Sequence, residues 1–423
     1  MSTVSDADTY SNRQVMLSLA YLAYCGDEIT TADPDAEIAQ LITDGISKIP
    51  ALSSETGSAN WATVWGPISY TTPGALYQDS LMYVAQNQTT ASQYVVAIRG
   101  TNQVSDLDWL MDDFDVLQQM PWPPGSANPT GAISESISIG LQTLLTMSDG
   151  SNTLLQYLDS VTGDPIALTV TGHSLGGALA SALGLYLTEE PKRWDRSTAS
   201  TVACVTFAAP TAGDDRFAGL VEDAFPGTTA ATVFDRVQCS MDIVPLAWTA
   251  ANIVNLDESS SQILDLYDTG PDGSVEDGID FQEMETPEDY AWTEIVLPYM
   301  LPAVQNLLTP GHYTQPFAGA AQLITTNNPT WQAYGQNLQT TAAAFGDQAA
   351  FQHSQSYPIL LGVLELLDPS IINETGTATA SSRRASRPRA RLLQTLLMAA
   401  FDGITKAPTA AATDIGRAGT PPQ

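Results

Sequence analysis

The residues best suited to chemistry in this 423-residue chain are a serine between two glycines, Gly172-His173-Ser174-Leu175-Gly176. An apolar, β-branched run precedes this segment and an alanine- and leucine-rich run follows it, which predicts a strand, a sharp turn and a helix. The glycines allow the turn to be tight. Its tip would expose the Ser174 hydroxyl, and the amide of Leu175, at the start of the helix, would face an oxyanion. The pattern indicates a serine nucleophile.

A serine hydroxyl is a weak nucleophile at neutral pH, so a base must take its proton. The chain has three histidines. His173 lies inside the turn, where it cannot readily reach its neighbour, and we expect it to pack or to form hydrogen bonds. His312 and His353 therefore remain as possible bases, and both follow the serine, as the chain order of such hydrolases requires.

A carboxylate must in turn hold the base in the correct tautomer, and it should follow a strand beyond the nucleophile. Asp242 follows a strand predicted at Thr232–Gln238. Pro245 and the apolar flanks predict a rigid, partly dry loop around it, whereas a surface aspartate would not hold an imidazole. Asp214 and Asp215, after the preceding strand, are the alternatives.

A second oxyanion donor is predicted where a central strand ends in Arg99-Gly100-Thr101. Thr101 can offer its N–H and its hydroxyl to an oxyanion at the carboxyl edge of the sheet. Apolar residues then recur every three or four positions, which predicts a short amphipathic helix containing Leu107, Trp109 and Leu110. This helix either packs permanently on the sheet or is a lid that leaves the site at an apolar interface.

The surrounding pattern alternates strands with helices and predicts an α/β fold with a mainly parallel sheet and helices on both faces. A turn-rich connection is predicted at Pro121–Gly131. The predicted helices are Asn12–Cys25, one through Glu37–Ile46 that starts near Asp33 or Pro34, Ile133–Leu158 with a break near Gly150, and Tyr357–Leu367. The predicted strands are Trp61–Tyr70, Ser80–Ala85, Tyr94–Arg99, Ile166–Thr171, Val202–Ala208 and Thr232–Gln238.

Composition divides the chain into one predicted domain, residues 1–372, and a low-complexity, arginine-containing tail, residues 373–423. The domain carries an acidic insertion at about 254–300. Its acidic residues among glycines do not have the spacing of a calcium loop, and we predict neither a metal nor a cofactor. The tail could lie on an anionic membrane, dock on the acidic body or remain solvated. The acidic residues considered as calcium ligands are Asp268, Asp272, Glu276, Asp277 and Asp280.

The charge of the chain excludes one class of partner. Residues 1–380 hold 8 of the 15 basic and 45 of the 47 acidic residues, a net charge of −37, which repels nucleic acid. Three cysteines predict buried thiols and not a disulfide framework. We see neither a signal peptide nor an apolar run long enough to span a membrane, which favours a cytoplasmic protein or export by a non-classical route.

Four motifs in order resemble the class 3 lipases, α/β-hydrolases related to fungal triacylglycerol lipases: VVAIRGT, VTGHSLGGALAS, VTFAAPTAGDDRFA and CSMDIVPL. The similarity covers about residues 80–250 and a segment around His353. It implies that Ser174 is the nucleophile and Asp242 the acid. Thr101 and Leu175 would form the oxyanion hole, and the helix around Trp109 would be the lid.

The family's histidine usually precedes an aromatic residue and an apolar helix, so the resemblance favours His353, four residues before Tyr357, over His312. The segment from Asp242 to His353 is longer than compact members need. The resemblance implies a serine hydrolase that cleaves carboxylic esters of lipids. The alternatives are a phospholipase A1, a soluble carboxylesterase, or a catalytically silent lipid-binding or interaction protein on the same fold.

Overall fold

The computed structural model describes residues 10–27, 29, 31, 34–53, 60–71, 78, 80–100, 119–126, 128–227, 232–239, 242, 244–246, 322–324, 351–368 and 371. All of these belong to Met1–Thr377, the first of two units into which the chain divides, the second being Ala378–Gln423. Thr101, the predicted lid with Leu107, Trp109 and Leu110, the acidic insertion, His312 and the tail lie outside the described residues.

Within the described residues, seven strands form the central sheet in the order β1-β2-β3-β6-β7-β8-β9. β1 and β2 pair antiparallel, as do β2 and β3, and the four pairings from β3 to β9 are parallel. The predicted mainly parallel sheet is thus confirmed. The strands are β1 (Trp61–Tyr70), β2 (Ser80–Asn87), β3 (Gln93–Ile98), β6 (Ala167–His173), β7 (Thr201–Phe207), β8 (Phe234–Cys239) and β9 (Gln322–Ile324).

Helices cover both faces of this sheet, because successive side chains of the central strands point to opposite sides. In β2, Leu81 and Tyr83 pack into one apolar core, and Met82 and Val84 pack into the other. The first core contains α1 (Asn12–Leu22), α2 (Pro34–Lys48) and the segment from Ser356 to Ile371 that includes α7 (Ser356–Leu361). The second contains α3 (Glu135–Thr146), α4 (Leu154–Val161), α5 (Leu175–Glu189) and α6 (Asp215–Ala224).

The helix starts follow local capping rules. Ser11 forms a capping box with Gln14 at the start of α1, and Thr153 forms one with Gln156 at the start of α4. Ser134 accepts a hydrogen bond from the Ile137 amide and so begins α3. Polar side chains at these positions replace the missing partners of the first helical N–H groups.

Two local predictions are wrong. The helix predicted from Ile133 begins at Glu135, because Ile133 lies in β5 (Gly131–Ser134), which pairs antiparallel with β4 (Gln119–Trp122) across the predicted connection. The helix predicted at Tyr357–Leu367 ends at Leu361, because Gly362 adopts a left-handed conformation with a φ of 70°. A 3₁₀ turn, Leu364–Leu367, follows it. The residues of β9 were not predicted as a strand.

Candidate active site

The sharp turn that carries Ser174 is a strained junction between β6 and α5. Ser174 has a φ of 58° and a ψ of −132°, and α5 begins at the next residue, Leu175. The Ser174 amide donates a hydrogen bond of 2.9 Å to the Phe207 carbonyl at the end of β7. A left-handed backbone at a non-glycine residue costs free energy and marks candidate functional sites. The strand, turn and helix predicted here are present.

Close backbone packing explains the two glycines that flank Ser174. A Cβ atom on Gly172 would lie 2.3 Å from the carbonyl oxygen of Gly176. A Cβ atom on Gly176 would lie 2.3 Å from the carbonyl oxygen of Ile98, at the end of β3. Real Cβ atoms do not approach backbone atoms this closely, so glycine is needed at both positions.

Asp242 follows β8 and is held by hydrogen bonds from three directions. Its Oδ1 accepts from the Val244 amide at 3.0 Å, and its Oδ2 accepts from the Tyr357 hydroxyl at 2.7 Å. The third partner is the His353 ring. The side chain is buried, so its orientation is fixed by these bonds and not by solvent.

His353 lies in a π-helical turn, Phe351–Gln355, that leads into α7. Its Nδ1 is 3.0 Å from Oδ2 and 3.3 Å from Oδ1 of Asp242. The His353 ring is 4.7 Å, centroid to centroid, from the ring of His173, the residue before Ser174. The structure therefore brings the acid, the imidazole and the turn with the serine together at the carboxyl ends of β6 and β8.

His173 has two hydrogen-bond partners. Its Nδ1 is 2.9 Å from the Tyr24 hydroxyl, and its Nε2 is 2.7 Å from the backbone carbonyl of His353. Burial, and then the neighbouring His353 ring, hold the pKa of His173 well below its ordinary value, so the ring is neutral. The side chain packs and forms hydrogen bonds, as expected from its place inside the turn.

Tyr357 is a site residue whose contact with Asp242 was not predicted from the sequence. Its hydroxyl donates to Asp242 and accepts the amide proton of Cys239 at 3.0 Å. Burial, with the charge of Asp242, holds the pKa of Tyr357 well above its ordinary value, so this hydroxyl keeps its proton. The only signal in the sequence was an aromatic residue four positions after His353, one helical turn away.

The alternative acids occupy other places. Asp214 caps α6, since its Oδ1 accepts hydrogen bonds from the amides of Phe217 at 2.8 Å and Ala132 at 3.0 Å. Asp215 is exposed in the first turn of the same helix. Within the described residues, the carboxylate that is hydrogen-bonded to the His353 ring is that of Asp242, not that of Asp214 or Asp215.

The cysteines and acidic residues of the described segments suggest no further centre. Cys25, Cys204 and Cys239 are buried, as predicted. No three potential ligands among histidine, cysteine, aspartate and glutamate cluster as a metal site in the segments described above. Within those same segments, every helix is too short or too polar to cross a bilayer.

Comparison with known proteins finds one matching family and several similar proteins. Residues 95–251 match the family lipase (class 3). A phospholipase A(1), DAD1 of Arabidopsis thaliana chloroplasts, is 30% identical over 135 residues, which are 30% of this chain and 29% of that protein. The chain thus matches less than a third of that relative's length. The crystal structure of M37 lipase is 28% identical, with a TM-score of 0.62, and covers 86% of this chain and 98% of its own.

The fold and the matched region define an α/β-hydrolase, as the sequence predicted. Residues 95–251 of the chain are similar to the class 3 lipases. This region contains Ser174 and Asp242. His353 lies about a hundred residues beyond it, and the hydrogen bond to Asp242 connects it with the matched region.

Proposed function

We propose that this protein hydrolyses carboxylic esters of lipids through an acyl-enzyme, with Ser174 as nucleophile, His353 as base and Asp242 as acid. The observation that carries the proposal is the hydrogen bond of 3.0 Å between His353 and the buried Asp242, beside the turn that holds Ser174. A serine, an imidazole and a carboxylate in this order are the machinery of acyl transfer. The match of residues 95–251 to the class 3 lipases supports the substrate class.

The geometry suggests how the steps are divided among the residues. Asp242 accepts from Nδ1 of His353, which leaves Nε2 to take the proton of the Ser174 hydroxyl as it attacks the ester carbonyl. The tetrahedral oxyanion accepts hydrogen bonds from the amides of Leu175 and Thr101. His353 then protonates the departing alcohol. It next activates the water that releases the fatty acid.

Active-site labelling tests these roles. A fluorophosphonate probe should label the wild type, and Ser174→Ala should abolish labelling. His353→Ala should abolish it as well, whereas the matched variant His312→Ala should keep it. Labelling that survives in Ser174→Ala would reject the nucleophile. A wild type that is never labelled would favour the catalytically silent binding protein instead.

The class of lipid is a separate part of the proposal. A triacylglycerol lipase is the first choice, and the phospholipase A(1) match over 135 residues makes a phospholipid the second. A hydrolysis panel of a short p-nitrophenyl ester, a triglyceride emulsion and phospholipid vesicles separates them. Preference for the emulsion supports a lipase, preference for vesicles a phospholipase A1, and activity on the soluble ester alone a carboxylesterase.

Contact with a lipid surface is proposed through the apolar residues Leu107, Trp109 and Leu110 or through the arginine-containing tail. Apolar side chains that cover a site in water can be replaced by lipid at an interface. The rate on one ester should therefore rise abruptly when its concentration passes the point of micelle formation. A smooth saturation curve through that point would contradict the lid.

A further inference from the structure

The turn that carries His353 is held by side chains from outside it. Three consecutive backbone carbonyls, those of Gln352, His353 and Ser354, each accept a hydrogen bond from a side chain. The donor to Gln352 is the nearby Ser356 hydroxyl. The donors to the other two come from distant parts of the chain. π-helical turns are rare and are often found at functional sites.

The donor to the His353 carbonyl is Nε2 of His173, at 2.7 Å. A carbonyl oxygen has no proton to give, so Nε2 of His173 must carry one. Because the ring is neutral, Nδ1 is then an acceptor, and its partner is the Tyr24 hydroxyl at 2.9 Å. The His353 carbonyl therefore requires the tautomer in which Nε2 carries the proton, and the hydroxyl of Tyr24, just after α1, donates to Nδ1 of that tautomer.

The donor to the Ser354 carbonyl is the hydroxyl of Tyr21, on the last turn of α1. The ring of Tyr21 also packs edge-on against His173, with centroids 4.9 Å apart. Tyr21, Tyr24 and His173 are all buried. Together they join the N-terminal helix, the residue before the nucleophile and the turn of the base.

We propose that His173 is a positioning residue for His353: its Nε2–H sets the place of the π-helical turn, with Tyr24 donating to Nδ1 of the same ring and Tyr21 holding the next carbonyl. The inference rests on the proposed function, in which His353 is the base. It assigns no chemical step to His173. Small errors in the place of a base lower the rate strongly, because proton transfer needs a well-defined distance.

The test compares the rate of fluorophosphonate labelling, kcat and KM on a soluble p-nitrophenyl ester, and thermal unfolding, all on full-length variants. His173→Leu removes the donor, and it should slow labelling and lower kcat by about tenfold or more with little change in KM. His173→Gln keeps an N–H donor near the position of Nε2, and it should restore the rate to within about threefold of the wild type.

A matched pair of tyrosine variants separates positioning from stability. Tyr21→Phe removes a buried hydroxyl that donates to the turn. Tyr83→Phe removes a buried hydroxyl that donates to the Leu19 carbonyl of the same helix at 2.6 Å. Both should lower the unfolding temperature by similar amounts, since each loses one hydrogen bond of the same kind. Only Tyr21→Phe should slow labelling.

The outcomes are distinct. Labelling of His173→Leu within about twofold of the wild type would overturn the proposal. If His173→Leu does not fold, equal labelling rates for Tyr21→Phe and Tyr83→Phe would overturn it, and a slower rate for Tyr21→Phe alone would support it. A wild type whose labelling does not depend on Ser174 would instead reject the proposed function itself.

Discussion

The turn around Ser174 and the turn around His353 meet at one site but are built by opposite means. The first consists of five consecutive residues, Gly172–Gly176, whose shape is dictated by backbone atoms packed against each other and against β3. The second is held by side-chain hydrogen bonds from α1 and from His173. Packed backbone cannot yield to added atoms, whereas a lost hydrogen bond only loosens the geometry. Variants should therefore damage the fold at the first turn and the rate at the second.

The largest effect is expected for Gly176→Ala. The new Cβ atom would lie 2.3 Å from the Ile98 carbonyl oxygen and 2.7 Å from the Arg99 carbonyl carbon, which are backbone atoms that cannot rotate away. We expect the free energy of unfolding to fall by about 4 kcal/mol or more, measured by denaturant titration. The matched control is Gly219→Ala in α6, where nothing lies within 4 Å of the new Cβ. It should gain about 0.5–1 kcal/mol.

Asp242→Asn should have the next largest effect, on the rate and not on the fold. An amide cannot stabilise the imidazolium that forms during catalysis and does not hold His353 in the required tautomer, so kcat should fall by about a thousandfold or more. The matched control is Asp214→Ala, which should cost about 1–2 kcal/mol of stability through the lost cap but leave kcat unchanged. A rate loss in the control, with a normal rate for Asp242→Asn, would reverse the assignment of the acid.

The difference between the two turns also explains what could be predicted from the sequence. The turn at Ser174 is local, so the apolar strand, the glycines and the small-residue helix can be recognised within about fifteen residues. Asp242 follows from its place after a strand. The main architecture follows from the alternation of apolar runs, which marks β3, β6, β7 and β8 as buried strands.

The surroundings of His353 could not be predicted in the same way. Its turn depends on Tyr21 and Tyr24, more than three hundred residues earlier, and a tyrosine in an apolar helix has no pattern that distinguishes a donor from a core residue. The two-stranded pair of β4 and β5 was missed because proline and glycine between them dominate the local pattern. β9 has only three residues, too few for periodicity to identify.

Tyr357→Phe should have a smaller effect that combines the two kinds of damage. It removes a hydrogen bond of 2.7 Å to Asp242 and leaves the buried Cys239 amide without the hydroxyl that accepts its proton. The free energy of unfolding should fall by about 1–3 kcal/mol, and kcat should fall about tenfold. Steady-state kinetics and denaturant titration measure the two losses separately. A normal kcat in a destabilised variant would show that Asp242 is fixed without this tyrosine.

The smallest effect is expected in the pH dependence of stability of His173→Gln. Because the folded pKa of His173 is well below its ordinary value, its neutral ring contributes stability above the unfolded pKa, and that stability is lost as the pH falls below it. The wild type should lose up to about 1.4 kcal/mol per pH unit relative to His173→Gln below about pH 6.5.

Denaturant titrations of both proteins at pH 7.5, 6.5 and 5.5 measure this difference, and the carboxylates that both share cancel in it. The Tyr83→Phe variant is the control. The hydroxyl that it removes does not titrate in this range, so the stability curve of the variant should stay parallel to that of the wild type. Parallel curves for the wild type and His173→Gln would mean that the ring takes up a proton in the folded state. The neutral tautomer that joins the two turns would then be wrong, because Nδ1 would have become a donor to Tyr24.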